Sequence, residues 1–389
     1  MRKLFSIMFW VVLVLIFSAP VTWAQQSKLY DLGHFPGGTW AAAFAINDFG
    51  MVVGTGDNRR GNTDPMGVPL FGADAHQWFD LGTFGGTWVG IAIGDGPYCS
   101  GISNTGMVVG QAMTTDGYMH AFAATPKSGM VDIGTLADIG YSGYNVSLAT
   151  AVNESGTLIV GWSSSEWAGQ DALPVVWTPK VVWGKHGPTT TWNIQKLDTT
   201  GFGQAYWWWA LGVNDYGQIT GTAYDLDTLT EPGVVWEAAP GNGWKITLLP
   251  TPAGYPHAHP VTINNMGEIA GRAASTDFST AALPVFWSKK SPKGNSWKFT
   301  VLPNLPGRVW AEPYGINDLG DIVGESYNNT IDWYPLAARW STKNPGLAKL
   351  LNVPGELSSV NAINNNGIAV GKYWQTLSSL PRMVAVGIR

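Results

Sequence analysis

The chain of 389 residues holds a single cysteine and few charges. Cys99, in Pro97-Tyr98-Cys99-Ser100, has no second thiol to pair with, so an internal disulfide and paired-cysteine redox or zinc chemistry are excluded. It reads as a buried, inert thiol. Charged residues make up 13%, against roughly 25% in an ordinary soluble domain. At 45% hydrophobic residues the chain is no charge-driven disordered polymer. Its 22 Lys+Arg against 27 Asp+Glu give a net charge of −5, without a clustered basic face, which excludes a phosphate-tracking nucleic-acid binder. Helical periodicity of useful length is missing. So are a nucleophile elbow and a Gly-rich phosphate loop, and no cofactor is expected.

What the chain has in abundance is glycine (49), proline (24) and tryptophan (21). Residues 1–24 read as a secretory signal peptide. Arg2 and Lys3 precede an apolar run from Leu4 to Ala19, and Thr22-Trp23-Ala24 supplies small residues before a cut at Gln25. The run is short of the ~20 apolar residues of a spanning helix. The expectation is an exported, monomeric protein, secreted to the periplasm or the exterior, with one domain over residues 25–389 and no membrane contact once the leader is gone.

One motif recurs along that domain. It runs apolar–Asn–Asp/Asn/Glu–x–Gly and is followed by an apolar segment. The copies are Ile46-Asn47-Asp48-Phe49-Gly50, Ile102-Ser103-Asn104-Thr105-Gly106, Val152-Asn153-Glu154-Ser155-Gly156, Val213-Asn214-Asp215-Tyr216-Gly217, Ile263-Asn264-Asn265-Met266-Gly267, Ile316-Asn317-Asp318-Leu319-Gly320 and Ile363-Asn364-Asn365-Asn366-Gly367. Their short polar side chains suit bonds to nearby backbone N–H groups, and the glycine supplies the positive φ of a tight hairpin. A calcium loop would need more oxygen ligands than the two at most that each copy offers. In the third copy Gly156 to Gly161 spans one residue more than elsewhere, which suggests a bulge.

A strand ending in Trp follows most hairpins, as in Leu173-Pro174-Val175-Val176-Trp177 and Leu283-Pro284-Val285-Phe286-Trp287, and then a fourth short strand such as Met130-Val131-Asp132-Ile133-Gly134. One unit is four strands in about 50 residues. Such a sheet cannot bury both faces alone, and stacked twisted sheets close radially. The fourth-strand pattern also precedes the first hairpin, at Leu29-Tyr30-Asp31-Leu32-Gly33, while the last unit stops after Arg382-Met383-Val384-Ala385-Val386. The economical reading is an all-β, seven-bladed β-propeller of four-stranded antiparallel blades, its last blade closed 3+1 by the N-terminal strand. A flat solenoid would leave that strand unpaired.

The segment Asp80-Leu81-Gly82-Thr83-Phe84-Gly85-Gly86-Thr87-Trp88, the Ala45–Gly54 hairpin and His120-Ala121-Phe122 resemble the bacterial HAF-repeat family of probable extracellular repeat proteins, over the chain from about residue 28 to its end. His-Ala-Phe itself occurs intact once; other copies carry a Pro-containing strand ending in Trp. The resemblance implies an exported bacterial protein and carries no catalytic residue and no substrate.

In a propeller of this order, ligands sit where the loops from strand four to strand one meet those from strand two to strand three. Six residues before each motif's leading apolar residue stand Trp40, Val146, Trp207, His257, Trp310 and Leu357, and Trp88 shares the Gly-Gly-Thr-Trp context of Trp40. Arg308, Glu312 and His259 lie nearby. The second set begins after the closing glycine with Gln111, Trp162, Arg272, Glu325 and Lys372. Most tryptophans are expected between blades; those in loops beside Gly and Thr suit stacking on sugar rings or extended peptides. Glu312 and Glu325 form the one candidate carboxylate pair of a glycosidase, which needs about 5–10 Å between the groups. His257-Ala258-His259 starts a zinc site without a third ligand, so no metal is expected. Three readings stay open: a binding module for carbohydrate or an extracellular protein or peptide, a secreted polysaccharide- or peptide-active enzyme, and a structural cell-surface protein.

Overall fold

The computed structural model describes residues 29–387 except 58, 60–62, 73–74, 91–100, 126–127, 167–168, 170, 186, 202–204, 242, 277–281, 290–295, 329–333, 354 and 377–378. The signal-peptide segment and Cys99 lie outside the described residues. The described strands form a seven-bladed propeller. Blade 1 holds Ala41–Ile46, Met51–Asp57, Thr63–Pro69 and Phe79–Asp80. Blade 3 holds Val146–Val152, Ile159–Ser164, Leu173–Gly184 and Gly187–Lys196, blade 4 Ala205–Val213, Ile219–Asp225, Gly233–Ala239 and Gly243–Leu248. Blade 5 runs from His257–Ile263 to Trp297–Val301 and blade 6 from Trp310–Ile316 to Lys349–Leu350. In blade 2 the innermost strand is split into Gly85–Gly90 and Gly101–Ile102, both paired to Val108–Thr114, and a parallel bridge from Thr63 to Trp88 ties blade 2 to blade 1.

Blade 7 takes Leu357–Ile363, Ile368–Trp374 and Arg382–Gly387 from the end of the chain and Leu29–Gly33 from its beginning. The two termini pair antiparallel, Leu29 with Val386, Tyr30 with Ala385 and Asp31 with Val384. This excludes the solenoid. Leu32, Met383 and Ala385 enter one core with Ala41, Val52 and Met66 of blade 1, so the closing strand joins an interblade core as well as a ladder. Asp31 also accepts hydrogen bonds from the Tyr373 hydroxyl at 2.9 Å and from Arg382 at 3.2 Å.

The turns explain the repeat. Each motif Asn folds back on its own turn: the Asn47 Oδ1 accepts from the N–H groups of Phe49 and Met51 at 3.1 and 2.9 Å, and Gly50 sits at φ 79°. The Asn amide then reaches the next blade. Asn214 donates to the Asn264 carbonyl, Asn264 to Asn317, Asn317 to Asn364 and Asn364 to Asn47, at 2.8–3.0 Å. The second motif residue serves its neighbour as well: Asn365 Oδ1 accepts from the Asp318 N–H at 2.8 Å, and Asp48 Oδ1 from the Asn365 N–H at 2.8 Å. In blade 3 the extra residue lengthens the turn itself. Asn153 N–H bonds the Leu158 carbonyl, five positions on, where Asn47 bonds Met51, four on.

Bulges occur elsewhere, and periodically. The register slips in the innermost strand of six blades, at Phe44, Thr150, Leu211, Val261, Tyr314 and Asn361, and in blade 4 a second time at Tyr206. The strand-ending tryptophans are core. Trp236, Trp287 and Trp340 are buried, and each indole N–H donates at 2.7 Å to a carbonyl that follows the outer strand of the preceding blade: Asp198, Pro250 and Pro303. A buried indole needs such an acceptor, and here the acceptor doubles as an interblade tie. The His-Ala-Phe and Asp-x-Gly motifs also meet. His120 Nδ1 lies 2.7 Å from Asp132 Oδ2, while Asp132 Oδ1 accepts from the Gly134 N–H.

Candidate functional site

The innermost strands run from the strand-four-to-one loops down to the Asn turns. They surround an axial cavity of about 170 Å³, lined by the six bulge residues and floored by Glu154, Asn265 and Asp318. A bulge turns one extra residue out of the ladder; here it turns that residue into the channel. The mouth, at the end opposite the Asn turns, is where the candidate residues gather. All but Trp40 and Arg308 stand in strands and not in loops. His257 and Trp310 begin the inner strands of blades 5 and 6, Trp207 lies in that of blade 4, and Arg272 and Glu325 lie in second strands. Register brings His259 opposite Arg272 and Glu312 opposite Glu325.

A polar band crosses the mouth from blade 4 to blade 1. Glu231, in the blade 4 loop between strands two and three, lies 2.6 Å from His259 Nε2 and 3.3 Å from His257 Nδ1. Burial pushes the Glu231 carboxyl up, but the hydrogen bond and charge of His259 outweigh it and the net shift is downward. Burial pulls His259 down. Arg272 pairs with Glu312, which also accepts from the Trp310 indole at 3.1 Å and the Tyr314 hydroxyl at 2.9 Å. The Tyr314 hydroxyl reaches Glu325 as well, and so does Tyr327. Burial holds the Glu325 carboxyl above its ordinary range, with the Glu312 charge adding to it. A single Tyr314 proton cannot serve two carboxylates. The count balances when Glu325 keeps its proton and donates it to the Tyr314 oxygen, which donates to Glu312. Past blade 6, Ser359 bonds Asn361, whose amide donates to the Ala43 carbonyl of blade 1 at 2.7 Å.

Beside this band blade 4 carries an aromatic stack. Trp207 lies on Trp209 with ring centroids 4.3 Å apart and planes at 18°, and Tyr224 faces Trp207 at 6.1 Å. Both tryptophans pack on Trp162, Met119 and Leu148 of blades 2 and 3. Tyr206, edge-on to Tyr224, is 45% exposed. Asp225 ends the second strand and Asp227 lies in the loop after it, where Leu229 holds a left-handed φ of 53°, a strained setting for a branched apolar residue.

The candidate residues therefore divide. His257, His259, Arg272, Glu312 and Glu325 come together. Trp310 is 8% exposed and belongs to their core, so it offers no face to a ligand. Trp207 joins the aromatic stack. Trp40 is half-buried at the edge of blade 1, its N–H held by Asp57 at 2.8 Å. Trp88 lies in the split inner strand of blade 2, and its side chain is outside the described residues. Arg308 donates to the Tyr334 carbonyl at 2.7 Å, away from the band. Glu231, Tyr314 and Tyr327 escape sequence reasoning, because none stands at a position the repeat marks, whereas Tyr206 opens the densest aromatic run of the chain, Tyr206-Trp207-Trp208-Trp209. No group of three His, Cys, Asp or Glu among the described residues is arranged to hold a metal ion.

The opposite end of the channel is acidic. Asp48, Glu154 and Asp318 meet around the Asn365 amide, whose Nδ2 lies 3.1, 3.2 and 3.4 Å from them. Burial, then the charges of Asp318, Asp48 and Asp215, push the Glu154 carboxyl from 4.5 up to about 7, against the hydrogen bond of Asn365. A raised folded-state value means stability that is complete below the unfolded value and lost as pH rises through 7. Allowing for solvent screening at a half-buried group, the loss between pH 5 and pH 8 should be about 1–2 kcal/mol. Glu154→Gln should lack that slope and exceed the parent at pH 8. Urea unfolding at both pH values tests it; equal slopes in the two proteins would clear Glu154 of the effect.

No family model matches the chain, and neither does any curated protein. Solved structures do. A Trypanosoma rangeli sialidase aligns at 12% identity and TM-score 0.46, over 94% of this chain and 60% of the sialidase. A Pyrococcus horikoshii acylaminoacyl peptidase aligns at 9% and 0.48, over 88% of this chain and 51% of the peptidase. A mutant of AofleA from Arthrobotrys oligospora aligns at 12% and 0.41, over 84% and 90%. The chain thus spans a little over half of the sialidase and the peptidase. The likeness is one of chain path and says nothing of a site.

Proposed function

We propose that the protein is an exported binding module of HAF-repeat type that takes carbohydrate at the channel mouth, on the aromatic stack of blade 4. The observation that carries this reading is the Trp207–Trp209 stack with Tyr206 open beside it, Asp225 at the end of the paired strand and Asp227 on the loop that follows. A flat, rigid aromatic face beside carboxylates suits a sugar, whose C–H face stacks while its hydroxyls donate. The pairing of Glu312 with Glu325 does not favour the glycosidase alternative. Both are buried and occupied by Arg272, Trp310, Tyr314 and Tyr327, so neither carboxyl is placed to meet a glycosidic bond.

Glycan and peptide arrays probed with the mature protein test the reading. Tyr206→Ala and Trp207→Ala should each weaken glycan binding by about tenfold or more, the worth of one lost stacking contact of ~1.4 kcal/mol. Tyr206 is exposed enough that its loss should leave the thermal midpoint unchanged. Binding of peptides alone would move the ligand class to an extracellular protein, and glycan binding that survives both substitutions would overturn the site.

A further inference from the structure

Blade 3 departs from the other blades at its outer rim. Its third and fourth strands, Leu173–Gly184 and Gly187–Lys196, outrun every other outer pair and stay in register to Gly184 opposite Gly187. The inner part of this ribbon is anchored, since Trp192, opposite Pro179, still packs on the blade core. Beyond that pair it projects on the side of the Asn turns. Val181 is 57% exposed, Val182 43% and Trp183 79%. Among tryptophans whose burial is described, Trp183 is the only exposed one. A solvated hairpin end ordinarily carries polar residues, and three adjacent apolar ones call for a partner.

The charge of the tip says which partner. Lys180 and Lys185 flank the apolar residues and are exposed, and from Thr178 to Asn193 there is no Asp or Glu, in a chain whose net charge is −5. The facing strand adds Thr189, Thr190 and Thr191, which are uncharged. The tip projects as a two-stranded ribbon with open edges, without a concave surface for a protein knob, and its apolar and cationic side chains are its distinguishing feature. A tryptophan and two valines between two lysines fit the headgroup layer of a lipid bilayer, where the indole settles at the interface and the ammonium groups meet anionic phosphates.

We infer that the blade 3 hairpin tip, Lys180–Lys185, docks the propeller reversibly on an anionic lipid surface. Two lysines and one tryptophan make a weak anchor, so the contact should be salt-sensitive. It is independent of the carbohydrate reading, which concerns the opposite end of the molecule. The test is co-sedimentation of the mature protein with vesicles of phosphatidylglycerol and phosphatidylcholine, and with phosphatidylcholine alone, at low and physiological salt. The protein should pellet with the mixed vesicles at low salt and much less with the neutral ones. Trp183→Ser should lower the partition coefficient about tenfold, and Lys180→Glu with Lys185→Glu should abolish the preference for anionic lipid. Unchanged circular dichroism and thermal midpoint would show that these variants still fold, since the tip lies outside the core. Failure of the folded parent to pellet, or Trp183→Ser pelleting like the parent, overturns the assignment. So does a parent that self-associates in sedimentation velocity while Trp183→Ser stays monomeric and neither binds vesicles; the tip is then a contact between copies.

Discussion

Removal of residues 25–33 should leave a chain with no cooperative thermal transition, or with a midpoint lowered by tens of degrees. The Leu29–Gly33 strand contributes one edge of blade 7, the buried Leu32, and the acceptor for Tyr373 and Arg382. Burial of one leucine is worth about 2 kcal/mol and each ladder hydrogen bond about 1 kcal/mol net. The larger loss is topological. Without that strand, Met383 and Ala385 lose cover, and the core shared by blades 7 and 1 opens at a seam that then has no covalent link across it. A domain holds about 5–15 kcal/mol in all, so the sum reaches most of the margin. Circular dichroism against temperature reads the result. A synthetic peptide spanning residues 28–36, added in excess to the shortened chain, should restore the transition, because binding to the native state alone stabilises by mass action. A shortened chain that melts within a few degrees of the parent would show that the seam is held by the blade 7–blade 1 side-chain bonds alone, such as Asn364 to Asn47.

The closure was legible in the sequence because it follows from counting strands at the two ends. The hairpins were legible because Asn and Gly at fixed offsets have a local job. Four features were not. The second motif residue looks like part of its own turn, yet Asp48, Asn265, Asp318 and Asn365 each accept from the backbone of an adjacent blade. No rule of neighbours along the chain exposes a bond that spans about 50 residues. The bulge two positions before each motif is occupied by Phe44, Thr150, Leu211, Val261, Tyr314 and Asn361, side chains with no chemistry in common. A position conserved only in backbone geometry leaves no mark on composition, and so Tyr314, which joins the two glutamates, was hidden. The site residues were expected in loops, but counting back from the turn lands inside the strand once the bulge is allowed for. The blade 3 ribbon was hidden by its own sequence, since Lys180 to Thr191 reads as loop until the two strands are seen paired.

The band of charges at the mouth holds blades together more than it awaits a ligand. It links blade 4 to blade 5 through Glu231 and His259, blade 5 to blade 6 through Arg272 and Glu312, and blade 7 to blade 1 through Asn361. The Asn ring does the same at the other end. Between them the inner strands are clamped at both rims, which leaves the aromatic stack of blade 4 on a rigid base. Rigidity of that kind lowers the entropy that the proposed sugar contact must overcome.

Arg272→Ala should be the most damaging single substitution in the band. It removes the guanidinium from Glu312 and leaves a carboxylate that is 6% exposed with neutral donors, Trp310 and Tyr314. Breaking one partner out of a buried ion pair costs about 3–5 kcal/mol, because the remaining charge keeps its desolvation penalty and loses its counter-ion. The same argument fixes the rescue. Glu312→Gln in the Arg272→Ala background removes the stranded charge and should recover most of the loss, so the double variant is more stable than the single one. It also fixes the pH dependence. A stranded carboxylate that takes up a proton when folded stabilises at acid pH and loses that stability as pH rises, so the Arg272→Ala penalty should shrink on acidification. Urea unfolding of the four proteins at pH 5 and pH 8 closes the cycle. If the double variant is no better than Arg272→Ala, the arginine acts through its stem packing and not through its charge, and the pairing with Glu312 carries no stability.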